Sequence, residues 1–185
     1  MTNIKRIFHG DYYNKDTANF LMSHSNGKKI LSVGCGDGSV ECLIKQNKKI
    51  EIQGLEVTNY KKSKIPVKFY KKKFPFKNKE FDMTSFVYSL HHAKSKDELK
   101  QIMKEAIRVS KKNILVLDHI YDNFLDKFFL KLYDYFINKS TNFDIDVTFN
   151  YLKEREWLDL FDNLNLRIKT KKYPFNNSIF FKLKV

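Results

Sequence analysis

Cysteine, proline, arginine and glycine are all scarce in this 185-residue chain. It holds two cysteines, three prolines and six glycines, and only four of its 35 basic residues are arginine. The two cysteines, Cys35 and Cys42, exclude a disulfide framework and a cysteine-rich zinc module, and a reducing cytoplasm is the expected compartment. No apolar run approaches the roughly 18 to 20 residues of a membrane span. The first residues, MTNIKRIFHGDYYN, lack the apolar core of a signal peptide. There are no internal repeats and no Pro/Gly/Ser linker, and the length suits one domain. With 42% apolar and 30% charged residues the composition is globular.

The net charge is +14. Such a balance raises nucleic acid or an anionic membrane as a partner. Yet the cations are overwhelmingly lysine, whereas arginine, with its planar fork, is the usual reader of phosphates and guanine edges. The surplus therefore reads as a solvated, compositionally driven lysine surface, with a functional basic face as the alternative. The lysine run 71–73 reads as a solvated loop.

Periodicity predicts helices over 11–26 (closed by Gly27), 39–46, 96–109, 123–137 and 154–161. It predicts strands over 29–33, 50–57, 67–70, 81–88 and 113–118, then an antiparallel pair over 166–173 and 178–184. Strands alternating with helices imply a mostly parallel sheet covered on both faces. Trp157, Met22, Met83 and Met103 read as core. No histidine spacing supports a metal site.

The chemistry concentrates where the first strand ends, in ILSVGCGDGSVECL. Gly34, Gly36 and Gly38 alternate between a strand and a helix, where a backbone without Cβ lets a ligand approach closely. The N–H groups opening the next helix favour a negative group. Glu56, about 20 residues on at the end of the next strand, can accept both hydroxyls of a ribose. Cys35, inside the loop, reads as a small packing residue and not as a nucleophile.

VGCGDGS followed by the Glu56 strand resembles the S-adenosylmethionine site of class I methyltransferases. The resemblance continues through FYKKKFPFKNKEFD, SFVYSLHH and EAIRVSKKNILVLDH, which are similar to landmarks of the small-molecule enzymes of that superfamily. It extends into LDHIYDNFLDKFFLKLYDYFIN and FNYLKEREWLDLF and covers roughly residues 28–168. It implies an α/β, Rossmann-like, doubly wound and mostly parallel seven-stranded sheet of order 3-2-1-4-5-7-6 with an antiparallel C-terminal strand. One domain, 1–185, is expected, with a helical cap (1–27), a cofactor-binding half (28–120) and a substrate-side half (121–185).

The resemblance also implies roles. Val33, Gly34, Cys35, Gly36, Asp37 and Gly38 would line the methionine and ribose end of S-adenosylmethionine, with Asp37 near its amine. Glu56 would hold the ribose and Val57 would pack near the adenine. Tyr70 stands where the family often carries an adenine-binding acid, a departure that either leaves this contact to backbone or loses it. Tyr88, Ser89 and Leu90 would face the methyl, and S-adenosylhomocysteine would be the product.

Methyl transfer is an in-line displacement, so the protein must hold an acceptor close to the methyl and supply a base where the acceptor carries a proton. Candidate bases lie beyond the carboxyl ends of the strands: His92 after the fourth, and His119 with Asp118 after the fifth. His91, Tyr121, Asn150 and Tyr151 are candidates for the acceptor pocket. The apolar stretch 123–137 suits an apolar acceptor, a partner or a lipid surface. The expected acceptor is a small molecule. An RNA methyltransferase and a non-catalytic partner subunit are the alternatives, and the chain holds neither an Asn/Asp-Pro-Pro-aromatic nor a Pro-Cys motif for base methylation.

Overall fold

The computed structural model describes residues 10–58, 63–140 and 150–185. Helix α1 (Gly10–His24) leads into β1 (Lys29–Val33), α2 (Ser39–Asn47), β2 (Glu51–Glu56) and β3 (Val67–Phe69). Next come β4 (Phe81–Val87), a single 3-10 turn (Leu90–His92), α3 (Lys96–Val109) and β5 (Ser110–His119). Helices α4 (Phe124–Ser140) and α5 (Glu154–Asn163) precede the hairpin of β6 (Arg167–Lys172) and β7 (Ser178–Lys184).

The seven strands form one sheet of order β3-β2-β1-β4-β5-β7-β6. Strands β1 to β5 pair in parallel, and β7 runs antiparallel to both β5 and β6. This is the order the resemblance implied. The central parallel strands β1, β4 and β5 are largely buried on both faces because helices cover both, while the edge strand β3 is exposed. Along β5 the side chains alternate: Leu115 and Leu117 join Leu21 of α1, Ile44 of α2 and Phe180 in one core, while Ile114 and Val116 join Met103 of α3, Trp157 and Phe161 of α5 and Phe181 in the other.

Helix α3 starts on Ser95, whose hydroxyl accepts the Glu98 N–H at 3.1 Å, and buries Leu99, Met103 and Ala106. Strand β5 begins at Ser110, three residues before the expected 113. Lys111 and Lys112 look like a turn in sequence, but Ser110 is buried against Thr84 with 2.7 Å between the hydroxyls and pairs with Phe81. Helix α4 runs one turn beyond the expected 137. No helix lies between β2 and β3 among the described residues; 59–62 fall outside them. His24 closes α1 by donating from Nδ1 to the Phe20 carbonyl at 2.8 Å.

Phe181 is fully buried in β7, 4.9 Å ring to ring from Phe161. Phe181→Ala should lower stability by about 3–5 kcal/mol, read as a shift of the urea midpoint with an unchanged slope.

Candidate functional site

Two clusters meet at the carboxyl ends of β1, β2, β4 and β5, where an open α/β sheet places its ligands. The first is the β1–α2 loop. Gly34, Gly36 and Gly38 all have left-handed φ, at 69°, 57° and 74°. A Cβ on Gly34 would lie 2.3 Å from the Ser89 Cβ, so only glycine lets the β1 and β4 exits close on each other. A Cβ on Gly36 would meet nothing within 4 Å, so this backbone faces open space. Ser89 secures the approach by donating its hydroxyl to the Val33 carbonyl at 3.0 Å.

Glu56 is buried at the end of β2. Its Oε1 accepts the Gly36 N–H at 2.7 Å and its Oε2 the Val57 N–H at 3.1 Å. Burial raises its pKa, and the two N–H donors pull part of the way back. Each oxygen still has a lone pair for a further donor. Val57 is largely exposed beside it, and Tyr70 donates its N–H to the Glu56 carbonyl at 3.0 Å. Asp37 turns toward the helix start, accepting the Ser39 N–H at 3.0 Å and hydroxyl at 2.7 Å, with the Lys64 ammonium at 3.4 Å. Cys35 packs its sulfur toward Gly54, and burial raises its thiol well above the usual range.

The second cluster centres on Asp118, fully buried near the end of β5. Its Oδ2 accepts the N–H groups of Leu90 at 3.0 Å and His91 at 3.3 Å. Its Oδ1 accepts the His119 N–H at 2.7 Å and lies 2.6 Å from the His91 Nδ1. Neighbouring strand residues point to opposite faces, so the Asp118 side chain pairs with His91 and meets His119 only through its backbone. The other His91 nitrogen lies 3.4 Å from Asp134 of α4. Burial by itself would lower His91, but the two carboxylates outweigh it and raise its pKa. Burial would likewise raise Asp118, yet His91 holds it below the carboxylate range. Tyr151 donates its hydroxyl to Asp134 and stacks its ring 5.1 Å from His91.

The other two histidines are neutral. Burial and the adjacent His91 push His92 down to about 3 and also lower His119. The His119 Nδ1 lies 3.3 Å from the Asn177 carbonyl. A carbonyl only accepts, so Nδ1 carries the proton and Nε2 keeps its lone pair. The Tyr88 ring lies 4.6 Å from His119, tilted by 36°, and the residue sits at φ 49°, a strained conformation for an aromatic residue. Tyr121 and Asn150 lie at the rim. Tyr121 has the Lys127 ammonium 4.7 Å over its ring, and Asn150 donates its side-chain amide to the Ala93 carbonyl at 2.6 Å.

Sequence reasoning missed Asp134, Tyr13 and Glu41. Asp134 was hidden in an apolar helix. Tyr13, 5.6 Å from the Tyr88 ring, comes from a distant helix. Glu41 follows the glycine loop on α2, where an acid reads as surface. It is in fact buried behind β1 and accepts the Ser32 hydroxyl at 2.6 Å. Only its place on the α2 stripe between Val40 and Ile44 hinted at this.

Burial raises the Glu41 pKa from 4.5 to about 7. A carboxyl raised on folding favours the folded state fully below its unfolded pKa, and that contribution is lost as pH rises through the folded value. Glu41→Gln should therefore match the parent near pH 4.5 and be more stable by about 2–3 kcal/mol at pH 8, checked by denaturant melts at both values.

The fold is that of the class I S-adenosylmethionine-dependent methyltransferases. A protein from Pyrococcus horikoshii OT3 superposes with a TM-score of 0.72 at 18% identity, over 96% of this chain and 93% of its own. A SAM-dependent methyltransferase from Aquifex aeolicus superposes at 0.66 and 11% identity, over 100% of both chains. A chain from the complex of the Haloferax volcanii Trm112 methyltransferase activator with a methyltransferase superposes at 0.67 and 11%, over 98% of this chain and 94% of its own. No curated protein sequence matches the chain at a significant level. Residues 14–124, which carry the glycine loop, Glu56, His91, His92, Asp118 and His119, match the family model described as methionine biosynthesis protein MetW. The match spans more than half the sequence, and the chain belongs to the MetW family.

Proposed function

We propose that the protein is an S-adenosylmethionine-dependent methyltransferase acting on a small-molecule acceptor. The observation that carries this reading is the convergence of open Gly36 backbone with the buried Glu56 carboxylate across the ends of β1 and β2. The residues fit the cofactor: a Cβ-free strip faces open space, and a carboxylate with unused acceptor capacity stands beside it for the ribose hydroxyls. Val33, Cys35 and Gly38 complete that wall, with Val57 and Tyr70 on the adenine side. Bound there, S-adenosylmethionine supplies an electrophilic methyl on a good leaving group, and S-adenosylhomocysteine is the product.

The chain's own residues then orient the acceptor and take its proton. His119 is the base: its neutral Nε2 is the accepting atom, and its Nδ1 proton is held by the Asn177 carbonyl. His91, clamped by Asp118 and Asp134, has its pKa raised and in turn helps lower those of His119 and His92. Tyr88, Ser89 and Leu90 wall the methyl side. Tyr121, Asn150 and Tyr151 bound the acceptor side, with Tyr151 acting from beneath through Asp134.

Calorimetric titration with S-adenosylmethionine tests the first half. Glu56→Ala should weaken binding about 10- to 100-fold, from the loss of charged hydrogen bonds, and Gly36→Arg should abolish it. Unchanged affinity in both would overturn the site assignment. For the second half, His119→Ala should reduce kcat by about a hundredfold or more with cofactor affinity nearly unchanged. Normal turnover removes His119 as the base.

The +14 charge favours one competing reading, an RNA acceptor. RNA affinity that falls steeply with salt, with a slope corresponding to several phosphates, would put that reading first.

A further inference from the structure

Helix α4 is packed the wrong way round for a surface helix. Its buried side is narrow and carries Leu130 and a carboxylate, Asp134. Its large apolar side chains face outward instead: Phe124 is 80% exposed, Leu125 63% and Phe129 61%, with Phe128, Leu132 and Phe136 exposed among them. At 100° per residue these six occupy one continuous arc of about 140°. A globular helix normally turns such an arc to the core.

The orientation has a physical cause. Asp134 is held by the Tyr151 hydroxyl and lies 3.4 Å from His91, deep under the β4 and β5 ends. Rolling α4 to bury its aromatic arc would pull Asp134 away from the His91 ring and the Tyr151 hydroxyl, and its carboxylate would lose both partners while His91 keeps Asp118. The apolar arc is thus fixed outward by a polar lock.

Cations border the arc. Lys131 is exposed next to Phe124 on the helix surface, and Lys127 follows it on the same side. Lys127 and Lys153 both stand over the Tyr121 ring, at 4.7 and 5.5 Å. The whole chain carries +14. At 17 residues and about 25 Å the helix can lie in an interface plane, and no described helix is long and apolar enough to cross a membrane.

We infer that α4 docks the protein on an anionic lipid surface, its aromatic arc entering the acyl boundary and the lysines meeting the headgroups. A second copy of the chain is disfavoured because two bodies of +14 repel. A protein partner would need hydrogen-bonding groups across the contact, and the arc offers almost none beyond the rim hydroxyl of Tyr135. A bilayer requires only apolar depth and bordering positive charge. The inference does not rest on the methyl-transfer reading, since neither the exposed arc nor its lysines is assigned a role there.

Flotation with vesicles tests it. Vesicles of phosphatidylcholine containing about one-third phosphatidylglycerol should carry the protein upward, and phosphatidylcholine alone should carry much less. The double variant Phe128→Ser/Phe129→Ser should lower the partition about tenfold or more, and Phe136→Ser should lower it separately. These positions are exposed, so the melting temperature and the S-adenosylmethionine affinity of both variants should match the parent. Lack of binding to the anionic vesicles overturns the inference. So does equal binding by the parent and the double variant, which would assign the attraction to lysines alone. Concentration-dependent self-association in ultracentrifugation, abolished by the double variant, would give the arc to a second copy and also overturn it.

Discussion

A buried carboxylate organises the second half of this molecule. Asp118 lies at the end of β5 with no access to water, and such a charge persists only when its oxygens are fully occupied. Here they accept three backbone N–H groups and the His91 ring. Those bonds bind the exit of β4 to the end of β5 and fold Leu90–His92 into a tight turn. They also raise the pKa of His91, and His91 in turn lowers those of His92 and His119. Three histidines that look alike in sequence are thereby pushed apart: carboxylates raise the pKa of His91, while burial lowers those of His92 and His119.

The glycine loop depends on the same closure from the other side. Ser89, one residue before the turn that Asp118 holds, packs on Gly34 and donates to Val33. The β1 exit is thus pressed against the β4 exit, at the point where the sheet order reverses from β1 toward β4. Glu56 then ties Gly36 to β2. Each contact has backbone N–H groups donating to a buried carboxylate or a hydroxyl donating to a carbonyl, and together they tie the exits of β1, β2 and β4 to one another.

Helix α4 shows how a polar lock can override hydrophobic patterning. Burial of several aromatic side chains would stabilise the helix against the body by several kcal/mol. The alternative roll strips Asp134 of the His91 ring and the Tyr151 hydroxyl, and a carboxylate that loses such partners costs a comparable amount. The side of α4 that carries a single aspartate therefore faces inward.

The strands, most helices and the sheet order were legible because parallel strands buried on both faces read as short apolar runs between helical periods. The loop glycines and Glu56 were legible because a tight turn and a close backbone approach restrict residue type at fixed spacing. What the amino-acid order determined by itself was local: which segments are strand or helix, and where the chain can bend. Partnership was decided only by the tertiary structure. Asp118 adjoins His119 in sequence but pairs with His91, because neighbouring strand side chains diverge while the β4 turn folds over β5. Asp134 carries no local mark of burial and Glu41 only its place between Val40 and Ile44, since a carboxylate looks the same until a distant element covers it.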